Sequence, residues 1–433
     1  MIDKRIWICA AILLLAATTG TAAALEGKEQ LGKSIFFDQS LSINNNQACA
    51  SCHGPEAGWT GPDSNVNAHE AIYEGSIRGM FGNRKPPTSA YATTSPVLMN
   101  DYDEFTGGNF WDGRATGEKL GNPAADQAQG PFLNPVEQAL PDAACVVYRV
   151  CNAENYQVEY EDVWGEDTCE IEWPANMQKL CKQSECTIAL SDQDRTKVNT
   201  NFDNIALSIE AYEASSESNA FTSKYDYFLN GEAVLTKQES SGLELFNNKG
   251  NCAACHPITT GPYAAMPLFT DYTFDNLGIP KNLENPVYRN QPSFIDTGLG
   301  GFLETTEDWS IHAEANMGKH KVPTLRNVDK RPNKGFVKSY SHNGYFKSLE
   351  AIVHFYNTRD VLAECTGNNG PEGINCWPVP ELADNVNKVE LGELKLTPDE
   401  EKAIVAFMKT LSDGYIPCYD DDDECENNSD EIS

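Results

Sequence analysis

Positive charge is scarce in this chain. Lys and Arg total 32 against 64 Asp and Glu, a formal net charge of -32. A field of that sign repels nucleic acid and anionic lipid, which excludes functions built on basic patches; it favours a basic partner and serves solubility equally well. Long apolar runs are missing too. The apolar run Ile6 to Ala17 falls short of the ~20 residues a membrane span needs, and no later stretch approaches that length. Preceded by Lys4 and Arg5 and followed by small residues ending Ala22-Ala23-Ala24, that run has the layout of a secretory signal peptide cleaved near Leu25. Cys9 lies too early to be a lipidation site after cleavage. The composition, 40% hydrophobic and 10% aromatic over 433 residues, excludes a disordered chain and suffices for two or three domains with real cores.

Cysteine is plentiful, at fourteen, and part of it is patterned. Cys49-Ala50-Ser51-Cys52-His53 and Cys252-Ala253-Ala254-Cys255-His256 share C-x-x-C-H spacing. That spacing suits c-type haem attachment, in which two thioethers fix the porphyrin edge and the His takes one axial iron position. A single copy is equally a redox dithiol or half a zinc site; two copies favour haem. An amphipathic run precedes each, Leu31 to Phe37 and Gly242 to Phe246, which makes an internal repeat. Haem attachment of this kind, with the signal peptide, places the mature protein in the periplasm.

Besides Cys9 and the four motif cysteines there remain Cys145, Cys151, Cys169, Cys181, Cys186, Cys365, Cys376, Cys418 and Cys425. An oxidising compartment pairs most of them. The five from Cys145 to Cys186 fall in a polar stretch of little periodicity, read as a disulfide-stapled insertion. Cys365 with Cys376, and Cys418 with Cys425, suit local bridges. Their number is odd, so one thiol is left over. Elsewhere the pattern is helical with long loops: Thr397-Pro398-Asp399-Glu400 opens a helix that carries Ile404, Val405, Met408 and Leu411 to Gly414, and another covers Asp203 to Glu213. Asp420 to Asp423 begin an acidic tail expected to be disordered.

Between the motifs stand Phe110-Trp111-Asp112-Gly113-Arg114-Ala115, then Gln127-Ala128-Gln129-Gly130-Pro131 and Asn134-Pro135-Val136-Glu137. This order, F-W-D-G-R-A then Q-A-x-G-P-x-x-N-P-x-E between two C-x-x-C-H sites, resembles the bacterial di-haem cytochrome c peroxidase and MauG superfamily from about Leu31 to Leu411. The resemblance implies two covalently bound haem c groups, held by Cys49, Cys52, Cys252 and Cys255 with His53 and His256 on iron. It implies that Glu137 is the distal acid of a peroxidatic first haem, that Gln127 and Pro131 are its pocket partners, that Arg114 lies at the cofactor, and that Trp111 stands between the haems. A carboxylate beside an open iron site can carry a proton from the near to the leaving oxygen of peroxide. The Thr116 to Asp126 stretch is longer than in most relatives, so a pocket loop of different shape is expected.

The distal ligands separate the sub-families. His69 matches the distal His of the cytochrome c peroxidases, which MauG-like members lack; the other reading is a solvent-facing loop His. On the second haem, counting onward from Tyr340-Ser341-His342-Asn343-Gly344 brings the distal ligand to Tyr356, where cytochrome c peroxidases carry Met; Met317 or His354 as ligand is the alternative. A phenolate is hard and anionic and favours ferric and higher states, whereas a thioether favours ferrous iron. The superfamily also places calcium between the haems, on an Asn side chain and backbone carbonyls. The Asn position here is Lys85, and an ammonium does not ligate a cation, so calcium requires Asn83 to take over; the carbonyls would come from around Val337 and Ser339.

The expected fold is mainly α, with two cytochrome-c-like haem domains, long loops and a disulfide-rich insertion. The expected division is a signal peptide over 1–24, a peroxidatic haem domain over 25–212 with a Cys-rich insertion at about 141–190, an electron-transfer haem domain over 213–417, and a tail over 418–433. The implied activity is reduction of hydrogen peroxide with electrons from a small cytochrome c or cupredoxin. The alternatives are oxidation of a partner protein's side chains, which Tyr356 favours, and a non-enzymatic electron-transfer cytochrome, which a permanent His69 ligand would support. Neither nucleic acid nor membrane is an expected partner. Dimers are common in the family, and no stretch here marks an interface.

Overall fold

The structure, a computed structural model, describes residues 25–417 apart from Asp103 and residues 154–155. The signal-peptide segment, the acidic tail and the Cys418 to Cys425 bridge lie outside the described residues. No described helix is long and apolar enough to cross a membrane.

The chain is largely helical. Seven helices position the site: α1 (Lys28–Phe36), α2 (Pro123–Leu133), α3 (Ala143–Cys151), α4 (Asp192–Ala214), α5 (Lys237–Asn247), α6 (Leu349–Thr358) and α7 (Pro398–Lys409). Strands among the described residues are confined to three two-stranded ribbons. One of them pairs Phe274 with Lys321 and Asp275 with His320.

The sequence repeat is also a packing repeat. In α1 a Cβ at Gly32 would lie 1.8 Å from the Ser208 carbonyl oxygen of α4; in α5 a Cβ at Gly242 would lie 1.9 Å from that of Ala403 in α7. Only glycine lets the backbones come so close. Four residues on, one helical turn, Phe36 meets Tyr212 edge-to-face at 5.5 Å and Phe246 meets Phe407 at 5.2 Å. Each pair anchors its own cluster of buried apolar residues. A small third cluster gathers Leu98, Phe105, Phe274, Leu299 and Leu303.

Helix ends follow the sequence. Thr397 caps α7 and Glu400 returns to the Thr397 N–H, a reciprocal capping box. Helix α4 begins eleven residues before the expected Asp203: Ser191 caps it, and Asp192 and Asp194 sit in the first turn, where the helix dipole favours them. The Cys-rich stretch is more ordered than its weak periodicity suggests. Its helix α3 buries Cys145, Val146, Val147, Val150 and Cys151. Disulfides join Cys145 to Cys181 and Cys151 to Cys169, leaving Cys186 free; Cys365 pairs with Cys376 as expected.

Candidate functional site

The two C-x-x-C-H segments fold alike. Each Cys opens a single 3-10 turn, Cys49–Ser51 and Cys252–Ala254, and each His N–H returns to the first Cys carbonyl, at 3.0 Å for His53 and 2.9 Å for His256. The ring Nδ1 of His53 meets the Trp59 carbonyl at 3.2 Å, and that of His256 the Phe269 carbonyl at 2.8 Å. A carbonyl only accepts, so Nδ1 carries the proton and Nε2 keeps its lone pair, the tautomer that binds iron. Burial pushes both rings down to about 4, so both are neutral.

The four motif cysteines are unpaired. Burial pushes the Cys52 and Cys252 thiols up to about 12 and raises Cys49 and Cys255 as well. A redox dithiol needs a depressed pKa, and these four lie on the other side. Both segments open onto hollows. Cys252, Cys255 and His256 face one of about 1420 Å³, walled mainly by apolar side chains that include Phe246, Ile279, Leu349, Val353 and Met408. His53 faces three adjoining hollows of about 690, 440 and 780 Å³, all shared with Gln127. Neutral imidazole, two free thiols and adjoining hollow space are what a haem c requires, and each motif offers them.

The expected pocket residues converge. Gln127, Pro131 and Glu137 line the 440 Å³ hollow together with Cys49, Cys52 and His53. Helix α2, capped by Asn122, presents Gln127 and Pro131 one turn apart, and the turn that follows returns Glu137. Asn134 Nδ2 donates to Glu137 Oε1 at 2.7 Å. Burial raises the Glu137 carboxyl, and the nearby Arg114 opposes this. Arg114 itself pairs with Asp112 at 2.7 Å, lies over the Phe110 ring and lines the 780 Å³ hollow. The longer Thr116 to Asp126 loop does not reshape the pocket: Asp126 gathers the Gly117 and Leu120 N–H groups at 2.8 and 2.9 Å, and none of its residues lines the His53 hollows.

Trp111 is buried in the wall that the two sites share, lining the large cavity and two of the His53 hollows. Its indole N–H donates to the Lys85 carbonyl at 2.8 Å, and its own carbonyl accepts from Lys321 N at 2.9 Å. Tyr356, on α6, lies in the His256 cavity, and burial raises its phenol. The other second-site candidates face elsewhere: His354 turns to Glu401 at 3.0 Å, and Met317 packs on the third cluster.

His69 is not brought to His53. It ends the short Ser64–Ala68 helix, is exposed, and turns its Nδ1 back to the Asn65 carbonyl at 2.9 Å. The calcium set does not assemble either. Lys85 is buried where a ligand would stand, its Nζ donating to Thr60 Oγ1 at 2.9 Å and the Pro86 carbonyl at 3.0 Å; burial pushes it down to about 7. At Asn83 the backbone carbonyl accepts from Asn285 Nδ2 at 2.8 Å.

Two further features escaped the sequence reading. Glu213 lines two of the His53 hollows with no hydrogen-bond partner among the described residues, and burial pushes it up to about 8; its i+4 spacing from buried Ile209 was the available signal. His320 and His342 stack at 3.6 Å on the wall of the large cavity, with Asp296 3.3 Å from one and Glu381 3.9 Å from the other. Twenty-odd residues apart in sequence, these two carry no local pattern.

A family described as di-haem cytochrome c peroxidase matches residues 26–234. The methylamine utilization protein MauG of Paracoccus denitrificans is 32% identical over 413 residues, covering 93% of this chain and 93% of that protein. The cytochrome-c peroxidase IdrP2 of Denitromonas iodatirespirans is 25% identical, covering 94% and 92%. The crystal structure of the diheme peroxidase BthA from Burkholderia thailandensis shares the fold with a TM-score of 0.68 at 26% identity, covering 89% of this chain and 86% of that one.

Proposed function

Because the chain belongs to the di-haem cytochrome c peroxidase and MauG family, we propose that it is a periplasmic enzyme that reduces hydrogen peroxide at the His53 site with electrons relayed from the His256 site. Residues 25–212 and 213–417 form its two cytochrome-c-like haem domains, each built on one glycine-spaced helix pair. The observation that carries the reading is the gathering of Glu137, Gln127 and Pro131 around one hollow with Cys49, Cys52 and His53. An electron-transfer cytochrome has no use for a buried acid there.

A haem held by Cys49, Cys52 and His53 supplies an iron centre that accepts peroxide and passes on its oxidising power. The residues supply the protons. With Oε1 fixed by Asn134, Glu137 has Oε2 free to take the proton of the near peroxide oxygen and return it to the far one, which leaves as water. Two further protons and two electrons complete the conversion of hydrogen peroxide to two waters. Trp111, held at its indole N–H and its carbonyl, keeps one aromatic ring in the shared wall and shortens the electron path.

Glu137 must be ionised to take the first proton, and burial raises its pKa. Turnover therefore falls as pH drops through that raised value. In the holoenzyme, Glu137→Gln should retain both haems, slow peroxide turnover by about two orders of magnitude or more, and lose this acid limb. Normal turnover in that variant would remove Glu137 from the mechanism.

A second reading, oxidation of a partner protein's side chains, is favoured by Tyr356 in the second cavity and His69 outside the first. Low-temperature EPR of the ferric holoenzyme separates the two. A high-spin signal beside a low-spin one supports an open first haem in the resting state; two low-spin signals support His69 ligation and a reductively activated peroxidase.

A further inference from the structure

A calcium ion between the sites would need carbonyl oxygens left free and a neutral or anionic side chain at position 85. Neither is present. The Val337 carbonyl accepts from Asn67 Nδ2 at 3.2 Å, and the same amide donates to the Gly61 carbonyl at 2.8 Å. Ser339 donates its hydroxyl to Asn67 Oδ1 at 3.3 Å, so the Asn67 side chain occupies the segment expected to face the ion. Lys85 points a buried amine at Thr60 Oγ1 and the Pro86 carbonyl, and among the described residues no carboxylate stands within ion-pair distance of it. Thr60 in turn donates to the Pro86 carbonyl at 2.6 Å, which leaves its lone pairs for the lysine.

A second buried amine lies nearby. Lys338 Nζ donates to the Asn327 carbonyl at 2.7 Å and the Lys330 carbonyl at 3.0 Å, and burial, with Lys85 nearby, holds it well below the ordinary lysine value. A divalent ion placed beside the two would meet amine donors and no anion. The backbone of Lys85 is meanwhile the joint of the shared wall: its carbonyl holds the Trp111 indole at 2.8 Å, and its N–H donates to the His342 carbonyl at 2.8 Å.

We infer that the Lys85 side chain stands in for calcium, a donor group tethered to the chain itself that fixes the Trp111 wall, and that the enzyme assembles and couples its two haem sites without any metal ion besides iron. This rests on the di-haem reading above but not on peroxide turnover. In the absence of an ion, what holds position 85 is a covalently tethered amine on two oxygens, which a chelator does not remove.

The test uses the holoenzyme purified without added calcium. Elemental analysis should find calcium well below one per chain, and the EPR signals of both ferric haems should be unchanged by EGTA or by added calcium chloride. One tightly held calcium per chain, with signals that shift on its removal, would overturn the inference. Lys85→Asn, which restores a side-chain oxygen, should make the EPR signals respond to calcium. Lys85→Met should weaken the change that peroxide at one haem produces in the spectrum of the other; an unaltered response in folded Lys85→Met would show that the amine does nothing. Should Lys85→Asn and Lys85→Met both fail to fold, the metal content of the parent protein still decides. A calcium-free protein with intact EPR signals but no peroxide turnover would sink the proposed function and leave this inference standing.

Discussion

With Tyr356 proposed as the distal ligand, the choice between a phenol and a thioether sets what the second site can store. Burial makes a free Tyr356 phenol hard to ionise, so it ionises only in exchange for a bond to a cation. Once on iron, the phenolate stabilises the oxidised form. Tyr356→Met should therefore raise the second haem's reduction potential, read by spectroelectrochemical titration of the holoenzyme. An unchanged potential and spectrum would remove Tyr356 from the coordination sphere. That Tyr356 lines the second cavity was legible in the sequence because it sits on one helix a short count after His342. His69, for which the sequence left a loop position open, was not decided there for the complementary reason. It sits on a short helix whose last turn directs the ring to Asn65, and nothing in Asn67-Ala68-His69-Glu70 encodes the direction of that turn. The stacked His320 and His342 depend on a two-residue ribbon pairing Asp275 with His320, too short to leave a period-two pattern.

The paired helices show where two opposing effects can be weighed. Alanine in place of a helical glycine gains about 1 kcal/mol of propensity. At Gly242 the added Cβ would lie 1.9 Å from the Ala403 carbonyl oxygen, and at Gly32 1.8 Å from that of Ser208. These are backbone atoms in the middle of helices, so the clash is relieved only by separating the pair, and overpacking of that kind costs about 1–3 kcal/mol or more. The clash wins. Gly32→Ala and Gly242→Ala should each lower the thermal unfolding midpoint of the holoenzyme; a midpoint that stays or rises would mean that the helices part freely. The sequence showed the leading half of each pair, since Leu31 to Phe37 and Gly242 to Phe246 are amphipathic, but not the partner, which lies about 160 residues or more downstream. It also under-read the Cys-rich insertion. Helix α3 spans only nine residues, little more than two turns, so its buried Cys145, Val146, Val147, Val150 and Cys151 leave a short pattern. The polar first half of α4 hid its start, which the Ser191 cap and the acidic first turn mark instead.

Across the whole molecule the charge is distributed against itself. The chain carries a net charge of -32, yet Lys85, Lys321 and Lys338 are packed around the wall between the two sites, donating to carbonyl, hydroxyl and amide oxygens rather than carboxylates. Positive charge that faced solvent would weaken attraction for a basic donor; with these three amines inside, the long-range field follows the negative net charge. Such a field acts on association rather than on the bond-breaking step, and it is screened over ~30 Å at 0.01 M salt but only ~10 Å at 0.1 M. A cationic electron donor should therefore show kcat/KM that falls by about tenfold or more as salt rises across that range, while kcat changes little. The same series with an anionic donor should rise or stay flat. If a cationic donor gave a salt-independent kcat/KM, the surface charge would serve solubility alone, and the donor would dock through apolar contact.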